Sequence, residues 1–166
     1  YGNMVSKDIQ SREGIYSTYF EFGTDLNGID QKGAYLTREY NVVDGQEISK
    51  RYAYNKNTGG IIAETDGKGN RIEYKYDVLD RVVKVINPDS SAKNYSYQDF
   101  PYANRKIEYT DPEGTKFLYE YDISGNLVKA DVFDKNNWQT LKEIEYDYRN
   151  NKTKETDSND HSTNFI

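Results

Sequence analysis

The chain has 166 residues, enough for one domain of ordinary size, but only about one residue in five is Ile, Leu, Val or Phe, which argues against a thick dry core. A net charge of −6 with no cluster of Lys or Arg excludes the basic patch used to bind nucleic acid or an anionic membrane surface. No apolar run approaches the ~20 residues that cross a bilayer, so no membrane insertion is expected, and the lack of cysteine excludes a disulfide framework or a thiolate metal site.

Seventeen tyrosines take the place of the missing aliphatics. Each offers a large apolar ring with a hydroxyl that can stay wet, which suits a sheet with thin cover. In chain order, residues 1–14 are polar and read as a tail or cap. Residues 15–50 read as loose hairpins. Asn27-Gly28 is a hairpin dipeptide between residues 15–22 and 34–42, and Asp44-Gly45 separates residues 35–43 from 46–54.

From residue 51 a motif recurs. It is Tyr52-Ala53-Tyr54-Asn55, then Tyr74-Lys75-Tyr76-Asp77, Tyr95-Ser96-Tyr97-Gln98, Tyr119-Glu120-Tyr121-Asp122 and Tyr146-Asp147-Tyr148-Arg149. The second tyrosines fall at steps of 22, 21, 24 and 27 residues. A period of that size marks one supersecondary unit stacked on its neighbours. Around the motif, apolar and polar residues alternate, as in Ile72, Tyr74 and Tyr76 against Glu73, Lys75 and Asp77. Period two predicts strands with one buried face.

Turns are predicted at both ends of each strand. One kind follows the tyrosines, as in Asp122-Ile123-Ser124-Gly125. The other is Asp66-Gly67-Lys68-Gly69, Asn87-Pro88-Asp89 and Asp111-Pro112-Glu113-Gly114. Asp-Pro-x-Gly fits a type I turn, with Pro at the second position and Gly at the fourth. Residues 135–139 read as an insertion lengthening the last interval. The expectation is an all-β antiparallel meander of repeated hairpins, roughly a dozen strands from about residue 15, forming a curved open sheet. Tyr54, Tyr76, Tyr97, Tyr121 and Tyr148 should occupy equivalent places in a row.

The order Tyr-x-Tyr-Asp, turn, Leu/Val-rich strand and Asp-Pro-x-Gly-Thr resembles the YD repeat, also called the RHS repeat. The clearest copy runs from Tyr119 to Val128, preceded by Thr110-Asp111-Pro112-Glu113-Gly114-Thr115; Thr65-Asp66-Gly67-Lys68-Gly69-Asn70 resembles the same turn. The likeness covers about residues 51–166, some five copies with the last truncated. The glycine expected three residues after the Asp stands only at Gly125; Asp80, Pro101 and Lys152 occupy the aligned positions. The resemblance implies an internal slice of a longer, secreted or cell-surface protein. In bacterial polymorphic toxins and insecticidal toxin complexes such hairpins build a shell around a toxic effector domain; in teneurins they form a scaffold. The implied partners are the rest of that shell and its enclosed effector domain, and some YD repeats have been thought to bind glycans.

Catalytic chemistry has little to stand on. His161, the only histidine, sits in a polar turn and is read as a turn residue. Asp66, Asp111, Asp134 and Asp157 recur with the hairpins and are read as turn-starters rather than an acid–base pair or calcium site. Asp25-Leu26-Asn27-Gly28 lacks the spacing of an EF-hand, and Gly67-x-Gly69 opens no helix. No cofactor or metal is expected. Trp138, with Phe133 nearby, is read either as a glycan contact or as cover for a sheet edge. Open strand edges predict edge-to-edge self-association.

Overall fold

The computed structural model describes residues 3, 5–11, 14–43, 45–99 and 105–165. Two compact units emerge, residues 1–91 and 92–166. The first contains β1 (Ser6–Ser11), β2 (Gly14–Glu21), β3 (Arg38–Val43), β4 (Gln46–Tyr54), β5 (Ile61–Asp66), β6 (Arg71–Tyr76) and β7 (Val82–Ile86). The second contains β8 (Ala92–Gln98), β9 (Arg105–Thr110), β10 (Lys116–Tyr121), β11 (Leu127–Asp134), β12 (Asn137–Tyr146), β13 (Lys152–Asp157) and β14 (Ser162–Asn164). Within each unit every strand pairs antiparallel with its neighbour in sequence. The chain is therefore the expected all-β hairpin meander, open at its ends, with no helix among the described residues. Residues 6–11, read from sequence as tail or cap, instead form the first strand.

Burial follows composition. Among the described residues, Ala53, Tyr54, Ala63, Ala130 and Ile144 are the buried apolar ones, and no large side chain is fully enclosed. Small residues meet at the crowded places: Ala53 stands directly opposite Ala63 in the β4–β5 register. In the second unit the alternation separates two faces. Tyr95 and Tyr97, Ile107 and Tyr109, and Phe117 and Tyr119 are matched across β8, β9 and β10 on one face. On the other, Lys106, Glu120, Lys129 and Glu143 lie in one row across β9 to β12, alternating in sign. Lys106–Glu120 closes at 2.6 Å and Lys129–Glu143 at 3.6 Å. Such cross-strand pairs contribute ~0.2–1 kcal/mol each and oppose a slip in register.

The longest connection, residues 22–37, is built rather than loose. It pairs with itself at Thr24 and Asp30 and then with β4, where Leu26 donates to the Tyr52 carbonyl and Tyr52 to that of Thr37. Asp25 and Gln31 form a buried polar pair inside it, and the buried Thr37 bonds separately to the Glu21 carbonyl.

Candidate functional site: tyrosines, turns and their hydrogen bonds

Eight turns among the described residues share one design. They begin at Asp25, Asp66, Asp77, Asn87, Asp111, Asp122, Asp147 and Asp157. In each, the first residue's N–H donates to the carbonyl four residues on, and its carbonyl accepts from the N–H three residues on. The fourth residue has φ between 58 and 90°. This is the pattern of a three-residue hairpin loop, a type I turn followed by one left-handed residue. The first side chain completes it. Asp122 Oδ1 accepts the N–H groups of Ser124 and Asn126, both at 2.9 Å, and Asp66, Asp77, Asp147 and Asp157 accept equivalent pairs. The amides of Asn70, Asn126 and Asn151 hold the carboxyls of Asp66, Asp122 and Asp147 below the usual aspartate range. Backbone N–H groups of Arg81 and Asn159 do the same for Asp77 and Asp157. The turn beginning at Asn55 is one residue longer, closing on Gly60.

Asp66, Gly67, Asp111, Pro112 and Gly114 thus take the places in turns that the sequence predicts. Asp134 starts a different one. It is followed by Lys135 and Asn136, both left-handed at φ 44 and 78°, and Asn137 lies opposite Asp134. Two left-handed residues define a type I′ hairpin tip.

Among the described residues, the turns that follow Tyr54, Tyr76, Tyr121 and Tyr146 also shift the ladder. The register slips between Ala53 and Tyr54, Lys75 and Tyr76, Glu120 and Tyr121, and Glu145 and Tyr146. Every time, the second residue of the next strand is left over as a bulge: Ile62, Val83, Val128 and Thr153, all β-branched. The carbonyl just before two of these bulges receives the tyrosine of the following hairpin. Tyr76 Oη donates to the Ile61 carbonyl at 2.5 Å, and Tyr146 Oη to the Leu127 carbonyl at 3.2 Å. Tyr54 Oη donates to the Leu36 carbonyl at 2.6 Å. A phenol one hairpin along therefore caps a backbone acceptor that the bulge leaves outside the regular ladder.

This geometry corrects the frame of the last copy. Tyr148, expected in the tyrosine row, lies in the turn after β12 and is 85% exposed. The equivalent of Tyr54, Tyr76 and Tyr121 is Tyr146, and Ile144 holds the place of the first tyrosine. The cause is that Asp147, not Arg149, starts the turn; Asn150 supplies the left-handed residue, and Lys152 already lies in β13. The signal was present in the sequence, since Tyr54-Asn55, Tyr76-Asp77, Tyr121-Asp122 and Tyr146-Asp147 share a tyrosine followed by Asp or Asn. Pro101 lies outside the described residues.

The first tyrosines of the motif have their own partners. Tyr52 donates to Glu39 at 2.7 Å and Tyr74 to Glu64 at 3.1 Å. Burial and these carboxylates push both phenols up, Tyr74 to about 12. In the second unit Tyr95, Tyr97, Ile107, Tyr109, Tyr119 and Tyr121 line an open groove of about 350 Å³. Its rings stack in series, Tyr95 on Tyr109 at 5.2 Å, Tyr109 on Phe117 at 5.8 Å and Phe117 beside Tyr119 at 6.5 Å.

Trp138 is not in an inserted loop. It belongs to β12, directly opposite Phe133, and the rings meet edge to face at 5.2 Å. Residues 135–139 lengthen a hairpin because β11 and β12 stay paired, past a bulge at Leu141, up to the type I′ tip. Asp25, the start of the calcium-like stretch, is 6% exposed. Its Oδ1 accepts from Asn27 and Ile29 and its Oδ2 from Gln31 and Tyr54, so N–H donors occupy both oxygens. Burial pushes this carboxyl up, but the four donors together bring it below its usual value. His161 closes the last turn, 3.4 Å from Asp157. The buried pair of Asp25 and Gln31 escaped sequence reading, because its members come together only through the fold of one long connection. No protein-family model matches this chain, and no curated protein matches it.

Proposed function

We propose that this chain is a wall segment of a longer YD-repeat-type protein, with a non-enzymatic role in enclosing or displaying an effector domain. The observation that carries this reading is the recurrent coupling of turn, bulge and phenol, in which Tyr76 and Tyr146 tie each hairpin to the one before it. Such a device spends its hydrogen bonds on joining repeats and distributes them along the chain instead of converging them on one reacting centre. On this reading the partners are neighbouring repeats and the enclosed domain, and the protein is secreted or at a cell surface. The parent reading frame tests it. Further Tyr-x-Tyr-Asp hairpins on either side and a non-repeat domain beyond them are expected; a frame with neither would overturn the reading.

A second reading is favoured by one observation, the tyrosine groove of the second unit; Trp138, paired with Phe133, belongs to the opposite, charged face of β11 and β12. Flat rings with wet hydroxyls suit the apolar face and hydroxyl rim of a sugar. A glycan array should then show binding that is lost in Tyr109→Ala and kept in Trp138→Ala. An array without binding by the folded protein leaves the scaffold alone.

A further inference from the structure

We propose that Tyr19 and Tyr40 form an oxidative cross-linking site, where a one-electron oxidant joins their rings into a dityrosine. The two residues face each other in the β2–β3 register, and their rings stack with centroids 5.0 Å apart and planes 20° apart. A tyrosyl radical carries unpaired spin on the ring carbons ortho to oxygen, the Cε positions. Near-parallel rings at this separation keep the two radicals within a small side-chain adjustment of each other, so coupling needs no encounter between chains. Tyr19 is 37% exposed, which gives the oxidant access and the phenolic proton a route to water. The Arg38 guanidinium lies 4.5 Å from the centre of the Tyr40 ring, which makes electron loss harder there. The first radical therefore forms on Tyr19.

The step balances as follows. Each phenol loses one electron and one proton. The two radicals form one Cε–Cε bond, and the ring hydrogens at that bond move to the phenolic oxygens, restoring both aromatic rings. Hydrogen peroxide, acting through a haem peroxidase, takes up the two electrons and two protons and leaves as two waters. The chain contains no cysteine, one methionine and one tryptophan, so the main competitors for the oxidant are the other tyrosines, including the exposed Tyr148, which has no stacked tyrosine among the described residues to couple with.

Other stacked pairs are less suited. In Tyr35–Tyr54 the second ring is buried and its hydroxyl is committed to the Leu36 carbonyl. In Tyr95–Tyr109 the planes diverge by 30°, and Phe117 stacks on Tyr109 in turn. The consequence of a link also differs. Tyr19–Tyr40 would close residues 22–37, the longest connection between strands, and so restrain the unfolded chain most.

The test treats the full chain with a haem peroxidase and hydrogen peroxide at low protein concentration, then reads intact mass and a peptide map. Expected is a monomer lighter by two hydrogens, dityrosine fluorescence, a mapped Tyr19–Tyr40 link and a higher Tm. Tyr40→Phe should abolish that link; Tyr19→Phe serves if the first variant does not fold. The proposal is overturned by a monomer with no link, by links only between chains, by a principal link at another pair, or by an undiminished yield in the Phe variant.

Discussion

Tyr76 shows why these positions hold tyrosine and not phenylalanine. Its ring covers the sheet, and its hydroxyl serves the Ile61 carbonyl beside a bulge. Tyr76→Phe and Tyr146→Phe should each cost about 1 kcal/mol in urea denaturation, the net worth of one hydrogen bond. Tyr148→Phe, at an exposed turn, should stay within about 0.5 kcal/mol. Truncation of the buried Tyr54 to Ala should cost about 3–5 kcal/mol. Charge at single residues sets the pH limits. Asp25, Asp66, Asp77, Asp122, Asp147 and Asp157 all have depressed folded-state values. Their contribution is complete above the unfolded value of ~3.9 and is lost as pH falls through the folded values. The urea midpoint should therefore hold at neutral pH and drop below about pH 4. Tyr52 and Tyr74 are raised, so their contribution is complete below the unfolded value of ~10 and is lost as pH climbs toward the folded values. An ultraviolet phenolate titration should show a late fraction that ionises only as the protein unfolds.

At the scale of one hairpin, the left-handed residue of each turn decides how well the loop fits. Ser90 holds φ 70° and Gly125 φ 88°, and no atom would meet a Cβ added at Gly125. Any difference on exchange is then conformational rather than steric crowding. Ser90→Gly should raise stability and Gly125→Ala lower it, each by about 1 kcal/mol, measured by thermal or urea melts. Strands and turns from residue 51 onward were legible because period-two alternation and Asx-started turns are local signals. Asp111-Pro112-Glu113-Gly114 announces its own geometry. The frame of the last copy was not legible from the tyrosine pair alone, because Tyr146 and Tyr148 together complete the Tyr-x-Tyr motif and the Asx turn begun by Asp147 is what sets the frame. Ser6–Ser11 is a polar strand whose pairing comes from its neighbour, so composition hid it. Residues 135–139 read as an insertion from spacing alone, yet two left-handed residues suffice for a tip and Trp138 falls in β12.

Within each unit, contacts run from each strand to the next, which makes it a quasi-linear array. Opening should begin at the ends. Native-state hydrogen exchange should find β1 and the three-residue β14 least protected, and β4, β5, β10 and β11 most. The same ends carry the association risk of any sheet edge. Sedimentation at rising concentration should reveal dimers, and a lysine placed at Ser162 or Thr163 should suppress them if β14 is the edge that pairs. The two functional readings differ only in what lies against the tyrosines, since both require this repeat-to-repeat wall to form first.

The hairpin of β11 and β12 has one more lesson. Its strands lengthen together and end at Lys135-Asn136 without altering the bulge at Tyr146. Foreign peptide spliced into that tip would ride outward on a ready-made stem, so the protein could carry passengers there while its neighbours keep their alignment.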